Sequence, residues 1–229
     1  MCADKITCGD DLKQKGILNS ICLKLKNDEN ICGILFMGSV ARGTAPPESD
    51  LDIMVLGECD KFVVETIDGI LVEYIYTTPE TAREKLINND MEVYHYLGSL
   101  IIYDKDGQLE RLMDFAVEKY NHFTTGPDVK KQISHWLSST KIKLSSALNA
   151  KDAVKINFLT STNSWKVIEA IWAVNHKPVP PSGSVALFKD SLLHIPFADW
   201  FEHLFVGTDV SRANTMLRII DWVLPGLDQ

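Results

Sequence analysis

Asp50 and Asp52 stand two residues apart, separated from a Gly-Ser pair by ten intervening residues, and that spacing constrains the chain more than any other feature. The stretch reads Gly38-Ser39-Val40-Ala41-Arg42-Gly43, then Ser49-Asp50-Leu51-Asp52-Ile53. The apolar run from Ile31 to Met37 ends at Gly38 and predicts a buried strand. Leu51 to Leu56 predicts a second strand, and alternate residues of a strand share a face, so both carboxylates project together. Like charges held that close repel unless a cation or a shared proton intervenes. Hard oxygen donors suit Mg²⁺, which takes one or two carboxylates and completes its shell with water and substrate phosphates.

Gly38-Ser39 lies where a strand ends and the chain turns. Glycine lets backbone amides approach an anion, and the Ser39 hydroxyl adds a donor. Arg42 can reach the same anion with its planar fork of donors. A phosphate cradle beside a metal-binding dyad is what phosphoryl or nucleotidyl transfer requires, and two ions would neutralise a triphosphate. A third carboxylate is then expected on the neighbouring strand. Glu73, in Leu71-Val72-Glu73-Tyr74-Ile75, is a charge inside an apolar strand and needs a partner there. Asp68-Gly69, between the β-rich runs 62–66 and 70–77, predicts a hairpin that makes Asp50, Asp52 and Glu73 expected neighbours.

These residues resemble the DNA polymerase β-like nucleotidyltransferase superfamily. The form Gly-Ser-x-Ala-Arg-Gly…Ser-Asp-Leu-Asp looks most like its bacterial antibiotic-modifying branch, the aminoglycoside and lincosamide nucleotidyltransferases, and the minimal nucleotidyltransferases. The resemblance is specific over Ile34 to Val55 and fades beyond Gly107. It implies Mg²⁺-dependent transfer of a nucleoside monophosphate from a nucleoside triphosphate, with pyrophosphate released. Carried over, Gly38 and Ser39 bind the triphosphate with Arg42 as a further phosphate contact, and Asp50, Asp52 and Glu73 ligate metal.

The remaining pattern predicts an α+β chain: an N-terminal mixed β-sheet domain with flanking helices over 1–125, then an all-α helical bundle over 126–229. Helices are expected at 11–27, capped by Asp10 or Asp11, from Thr78-Pro79 onward, and after Gly107 to about Tyr120. The second half predicts helices at 129–149, 152–175, 185–193, 197–205 and 209–224. Charge divides in the same way. There are 22 acidic and 12 basic residues through Gly126, against 9 and 11 after it. All five cysteines fall in the first part and all five tryptophans in the second.

The helical half is expected to hold the acceptor. On the same helix, Lys166 and Glu169 lie three apart and read first as an exposed pair. The resemblance casts Lys166 toward the triphosphate and Glu169 as general base for an acceptor hydroxyl. Trp165 and Trp172, seven apart, read as core. Asp104-x-Asp106-Gly107 lacks the closing glutamate of a calcium loop and reads as a turn. The six histidines show no zinc spacing.

With a net charge of −8 and no basic track, a nucleic-acid or membrane partner is not expected. The polar start, the absence of a long apolar run and the odd number of cysteines predict a cytoplasmic chain with reduced thiols. The expected acceptor is a hydroxylated small molecule. The alternatives are a protein acceptor, as in nucleotidylating antitoxins, or a nucleotide sensor without turnover.

Overall fold

In the computed structural model, which describes residues 12–46 and 48–228, a five-stranded mixed sheet is followed by a run of helices. The proposed caps Asp10 and Asp11 lie outside the described residues, as do Cys2 and Cys8. The chain divides into two units, the first ending at Lys119 and the second beginning at Tyr120.

The first unit runs α1 (Leu12–Lys26), β1 (Gly33–Met37), α2 (Gly38–Ala41), β2 (Leu51–Leu56), β3 (Lys61–Ile67), β4 (Ile70–Thr77), α3 (Pro79–Asn88), a 3₁₀ turn over Asp90–His95, β5 (Leu100–Asp104) and α4 (Gln108–Asn121). The strand order is β3-β4-β2-β1-β5, antiparallel throughout except for the parallel pair β2–β4. The hairpin forms across Asp68-Gly69, both at positive φ (51° and 80°), the type I′ geometry that matches strand twist.

Strand alternation gives the sheet two different faces. Ile34, Phe36, Leu51, Ile53, Val55, Val72 and Tyr74 pack with Ile17, Leu18, Ile21, Cys22 and Leu25 of α1 in one core. Asp52, Met54 and Glu73 stand at the alternate positions and so face the other way. That second face is covered in part by the 3₁₀ turn and α4. The buried Tyr96 donates to Met54 Sδ (3.7 Å), and a side chain at Gly33 would meet Leu109 of α4 at 2.8 Å. Thr78 Oγ1 caps α3 by accepting from Thr81 N (3.1 Å), with Pro79 in the first turn. Asp104 is a cap rather than a metal ligand: its two carboxylate oxygens accept from Gln108 N (2.9 Å) and Glu110 N (3.0 Å).

The second unit holds α5 (Pro127–Asn149), α6 (Ala153–Val174), α7 (Val185–Phe188), α8 (Trp200–Phe205) and α9 (Asp209–Leu227). Its core contains Leu137, Leu144, Val167, Ile171, Trp172, Met216, Ile220 and Val223, with Trp165 packed against it. Three expected boundaries move. The helix expected over 185–193 stops at Phe188, a 3₁₀ turn covers Lys189–Ser191, and Leu192 is extended (φ −76°, ψ 133°). α8 begins at Trp200 rather than Phe197, because Asp199 sits in the left-handed region (φ 56°) and cannot continue a right-handed helix. α9 runs past Pro225, since a proline in the last turn forfeits only one intrahelical bond. Among the described residues no helix is long and apolar enough to cross a membrane.

Asn163 is the polar joint of this core. Its Oδ1 accepts from Trp136 Nε1 (2.7 Å) and Thr140 Oγ1 (2.9 Å), while its Nδ2 donates to Leu159 O (2.7 Å). Asn163 and Thr140 are both buried. Asn163→Ala is expected to cost about 2 kcal/mol in urea unfolding, because the Thr140 hydroxyl stays buried without that partner. Adding Thr140→Val should return part of the loss by removing the orphaned group. A single variant as stable as the parent would show that the joint contributes nothing.

Candidate active site

The carboxylates meet through strand pairing. In the parallel β2–β4 ladder Asp52 stands directly opposite Glu73, and in the antiparallel β1–β2 ladder Met37 stands opposite Asp52. Asp50 immediately precedes β2, and the buried Gln14 of α1 donates from Nε2 to the carbonyl of Ser49 (2.9 Å), which fixes the approach to it. The hairpin acts indirectly. β3 lies at the sheet edge, so turning at Asp68-Gly69 returns β4 alongside β2 and sets Glu73 against Asp52.

Gly38 closes the other side. It sits at φ 77°, with its α-carbon so near the Asp52 carboxylate that a β-carbon would lie 3.0 Å from Asp52 Cγ and closer still to Oδ2. Met37 at the head of α2 provides no side-chain cap. Ser39 is half-buried, and its carbonyl accepts from Thr44 N (3.0 Å), closing the turn below it. Arg42 follows α2. Burial pushes its guanidinium down in pKa and Asp52 opposes the shift, while its Nε is buried without a hydrogen-bond partner. Gly98, in the segment after the 3₁₀ turn, lies against the Arg42 chain, where a β-carbon would be 3.1 Å from Cγ and Cδ.

Electrostatics single out Asp52. Burial pushes its carboxyl up to about 6, the Asp50 and Glu73 carboxylates add to the rise, and His95 and Arg42 oppose it. A carboxyl raised by two neighbouring carboxylates is one that a divalent cation would favour in its charged form. The donor set of hard oxygens fits Mg²⁺ in kind. Among the described residues, no group of three His, Cys, Asp or Glu side chains is placed to hold a metal ion by itself. Mg²⁺ does not call for one when substrate phosphates complete its shell.

Lys166 and Glu169 lie in the second unit and are brought together with each other. The Lys166 ammonium bonds the Glu169 carboxylate, and it also lies 5.9 Å from the centroid of the Trp136 ring. Both side chains are about a quarter to a third accessible (32% and 24%), so the pair is partly buried rather than exposed.

Two residues of the 3₁₀ turn on the carboxylate face escaped the sequence reading. Glu92, buried on the 3₁₀ turn, hydrogen-bonds His95 Nδ1 through Oε1 (2.9 Å). Burial works to raise the Glu92 carboxyl, but the hydrogen bond and charge of His95 outweigh it and hold it low. The only signal for the pair was its i,i+3 spacing, in a segment too short for a periodic pattern.

The family model described as a nucleotidyltransferase domain matches residues 17–142, more than half of the chain. No curated protein matches it. Among solved structures, the chain is similar to the crystal structure of a nucleotidyltransferase-like protein from Exiguobacterium sibiricum. The two share 12% identity at a TM-score of 0.40, over 95% of this chain and 75% of that one.

Proposed function

Because the chain belongs to the nucleotidyltransferase domain family, we propose that it transfers a nucleoside monophosphate from a nucleoside triphosphate to the hydroxyl of a small molecule, releasing pyrophosphate. The observation that carries the reading is the direct pairing of Asp52 with Glu73, with Gly38 packed on the Asp52 carboxylate. Asp50, Asp52 and Glu73 would hold Mg²⁺. When bound, the metal supplies charge neutralisation on the triphosphate and lowers the cost of building negative charge at phosphorus.

The chain's own residues do the remainder. Gly38 lets the backbone of the turn come close to the phosphates, and Ser39 adds a hydroxyl donor. Arg42 carries a buried Nε that has yet to be satisfied, a donor suited to a phosphate oxygen. Holding triphosphate and acceptor in line accounts for much of such catalysis, since little covalent work falls to the protein.

A small acceptor is favoured over a polymer because the acidic N-terminal half offers no basic track for a polyanion. The likeness of the Gly-Ser…Asp-x-Asp stretch to the antibiotic-modifying branch supports a hydroxylated acceptor of that kind. The helices after the domain supply a surface of the chain's own for it. Among the described residues, the thiols of Cys32 and Cys59 support a reducing, cytoplasmic setting, where nucleoside triphosphates are plentiful.

The test is incubation with Mg²⁺ and each α-³²P-labelled nucleoside triphosphate against a panel of aminoglycosides, lincosamides and other polyols. The expected result is a labelled small-molecule product with stoichiometric pyrophosphate, lost with EDTA and lowered at least about a hundredfold in Glu73→Gln. Labelled protein bands in place of a small product would establish a protein acceptor. Mg²⁺-dependent triphosphate binding without any product would establish a sensor.

A further inference from the structure

The 3₁₀ turn over Asp90–His95 is placed on the carboxylate face of the sheet by three anchors. Tyr96, fully buried, donates to Met54 Sδ, and Met54 is the next residue on the face that carries Asp52. Gly98 rests on the aliphatic chain of Arg42. Ser99 Oγ donates to the carbonyl of His95 (2.6 Å), which pins the backbone of the histidine itself. These anchors therefore hold His95 on the face of the sheet that carries Asp52.

Glu92 decides which face of the imidazole is chemically available. An ionised carboxylate only accepts hydrogen bonds, so the ring nitrogen that meets Glu92 Oε1 at 2.9 Å must carry the hydrogen. That nitrogen is Nδ1. In its neutral form His95 is then held with Nε2 as an acceptor, the tautomer a general base needs. Glu92 is buried while the His95 side chain remains 40% accessible, so the pair has a fixed inner end and an outer end open to a ligand. The charged groups around it are Glu92 on its own turn, Asp52 on β2, Arg42 after α2 and Lys85 of α3, which acts on Glu92.

Resting on the nucleotidyl-transfer reading above, we propose that His95, oriented by Glu92, accepts the proton of the attacking hydroxyl. The balance is simple. The acceptor O–H bond breaks and its proton goes to His95 Nε2. The oxygen forms its bond to the α-phosphorus of the nucleoside triphosphate. The bond from the α-phosphorus to the bridging oxygen breaks, and its electron pair leaves with pyrophosphate. Asp50, Asp52 and Glu73 would be engaged with the cation, and taking that proton would cost them the charge that holds it. In the second unit, Glu169 keeps its carboxylate on the Lys166 ammonium.

The experiment uses the full chain with Mg²⁺ and ATP, following pyrophosphate release with water or the polyol panel as acceptor. His95→Gln is expected to lower kcat about a hundredfold or more and to leave KM for ATP within about twofold. His95→Ala should lose activity similarly and regain part of it on addition of free imidazole, a rescue that a purely structural residue would not show. Independently of turnover, ¹⁵N NMR of the labelled chain should find the His95 ring in the Nδ1–H form, and Glu92→Gln should disperse that preference. An Nε2–H ring in the wild type overturns the inference. So does unchanged kcat in His95→Gln while Asp52→Asn abolishes release, which leaves the transfer reading standing. Release that survives Asp52→Asn overturns both.

Discussion

Asp52→Asn is expected to abolish nucleotidyl transfer and, in metal-free buffer, to make the protein more stable. The two effects have one cause. Burial and the neighbouring Asp50 and Glu73 carboxylates raise the Asp52 carboxyl from 3.8 to about 6 in the folded chain. Between about pH 4 and pH 6 the folded state binds more protons than the unfolded one, so stability falls as pH rises through that window and levels off above it. At neutral pH the ionised aspartate is thus a destabilising group. Asparagine keeps its shape and removes its charge. Asp52 is partly accessible, so solvent screening reduces the gain to about 1 kcal/mol, or about 2–4 °C in Tm. The loss of transfer should be far larger, about a thousandfold or more, because metal-held charge neutralisation supplies several kcal/mol of transition-state stabilisation. The assignment fails if Asp52→Asn retains transfer, or if it melts below the parent from pH 6 to 8 without metal. Strain of this kind at a working site, relieved by the mutation that destroys function, is the usual form of the stability–activity trade-off.

The parts of this site that were legible in the sequence are those written by local spacing. Gly38-Ser39 must end a strand, Asp52 must lie on a strand with Asp50 at its entrance, and Asp68-Gly69 must turn a hairpin; each follows from two or three adjacent residues. Thr78-Pro79 likewise announces the start of α3. Glu73 was legible as a misplaced charge with Asp50 and Asp52 as expected neighbours, but the strand pairing that sets it against Asp52 was not. A hairpin of β3 and β4 has the same internal pattern whichever strand it docks on, and only the parallel ladder sets Glu73 opposite Asp52. His95 and Glu92 were hidden for a related reason. A six-residue 3₁₀ turn has no period to read, and its importance comes from Tyr96 and Gly98 reaching Met54 and Arg42 across more than forty residues of chain. In the helical half, Asp199 and Pro225 mislead for opposite reasons. One breaks a helix through backbone conformation alone, and the other sits in a last turn that can spare its hydrogen bond.

Gly38→Ala should be the most damaging substitution outside the carboxylates, and Gly69→Ala is its natural control. Both glycines lie in the left-handed region, at φ 77° and 80°, so an alanine at either position carries a similar backbone penalty of about 1–2 kcal/mol. Their surroundings differ completely. A β-carbon at Gly69 meets nothing within 4 Å, whereas at Gly38 it falls on Asp52, 3.0 Å from Cγ and 3.3 Å from Cβ, with Oδ2 nearer still. Either α2 or the Asp52 side chain must move. A displacement of about 1 Å at a reacting centre costs about a hundredfold in rate. Gly69→Ala is therefore expected to lower Tm by a few degrees with kcat unchanged. Gly38→Ala should lower Tm further and reduce transfer at least about a hundredfold. The stability difference between the two belongs to the contact with Asp52, and a double-mutant cycle can isolate it. Asp52→Ala removes Oδ2 and Cγ and leaves only the Cβ contact at 3.3 Å, so Gly38→Ala should cost little more than its backbone penalty in that background, close to the cost of Gly69→Ala. Equal costs for Gly38→Ala with and without the Asp52 carboxylate would mean that the glycine serves the turn alone and not the approach of the carboxylate.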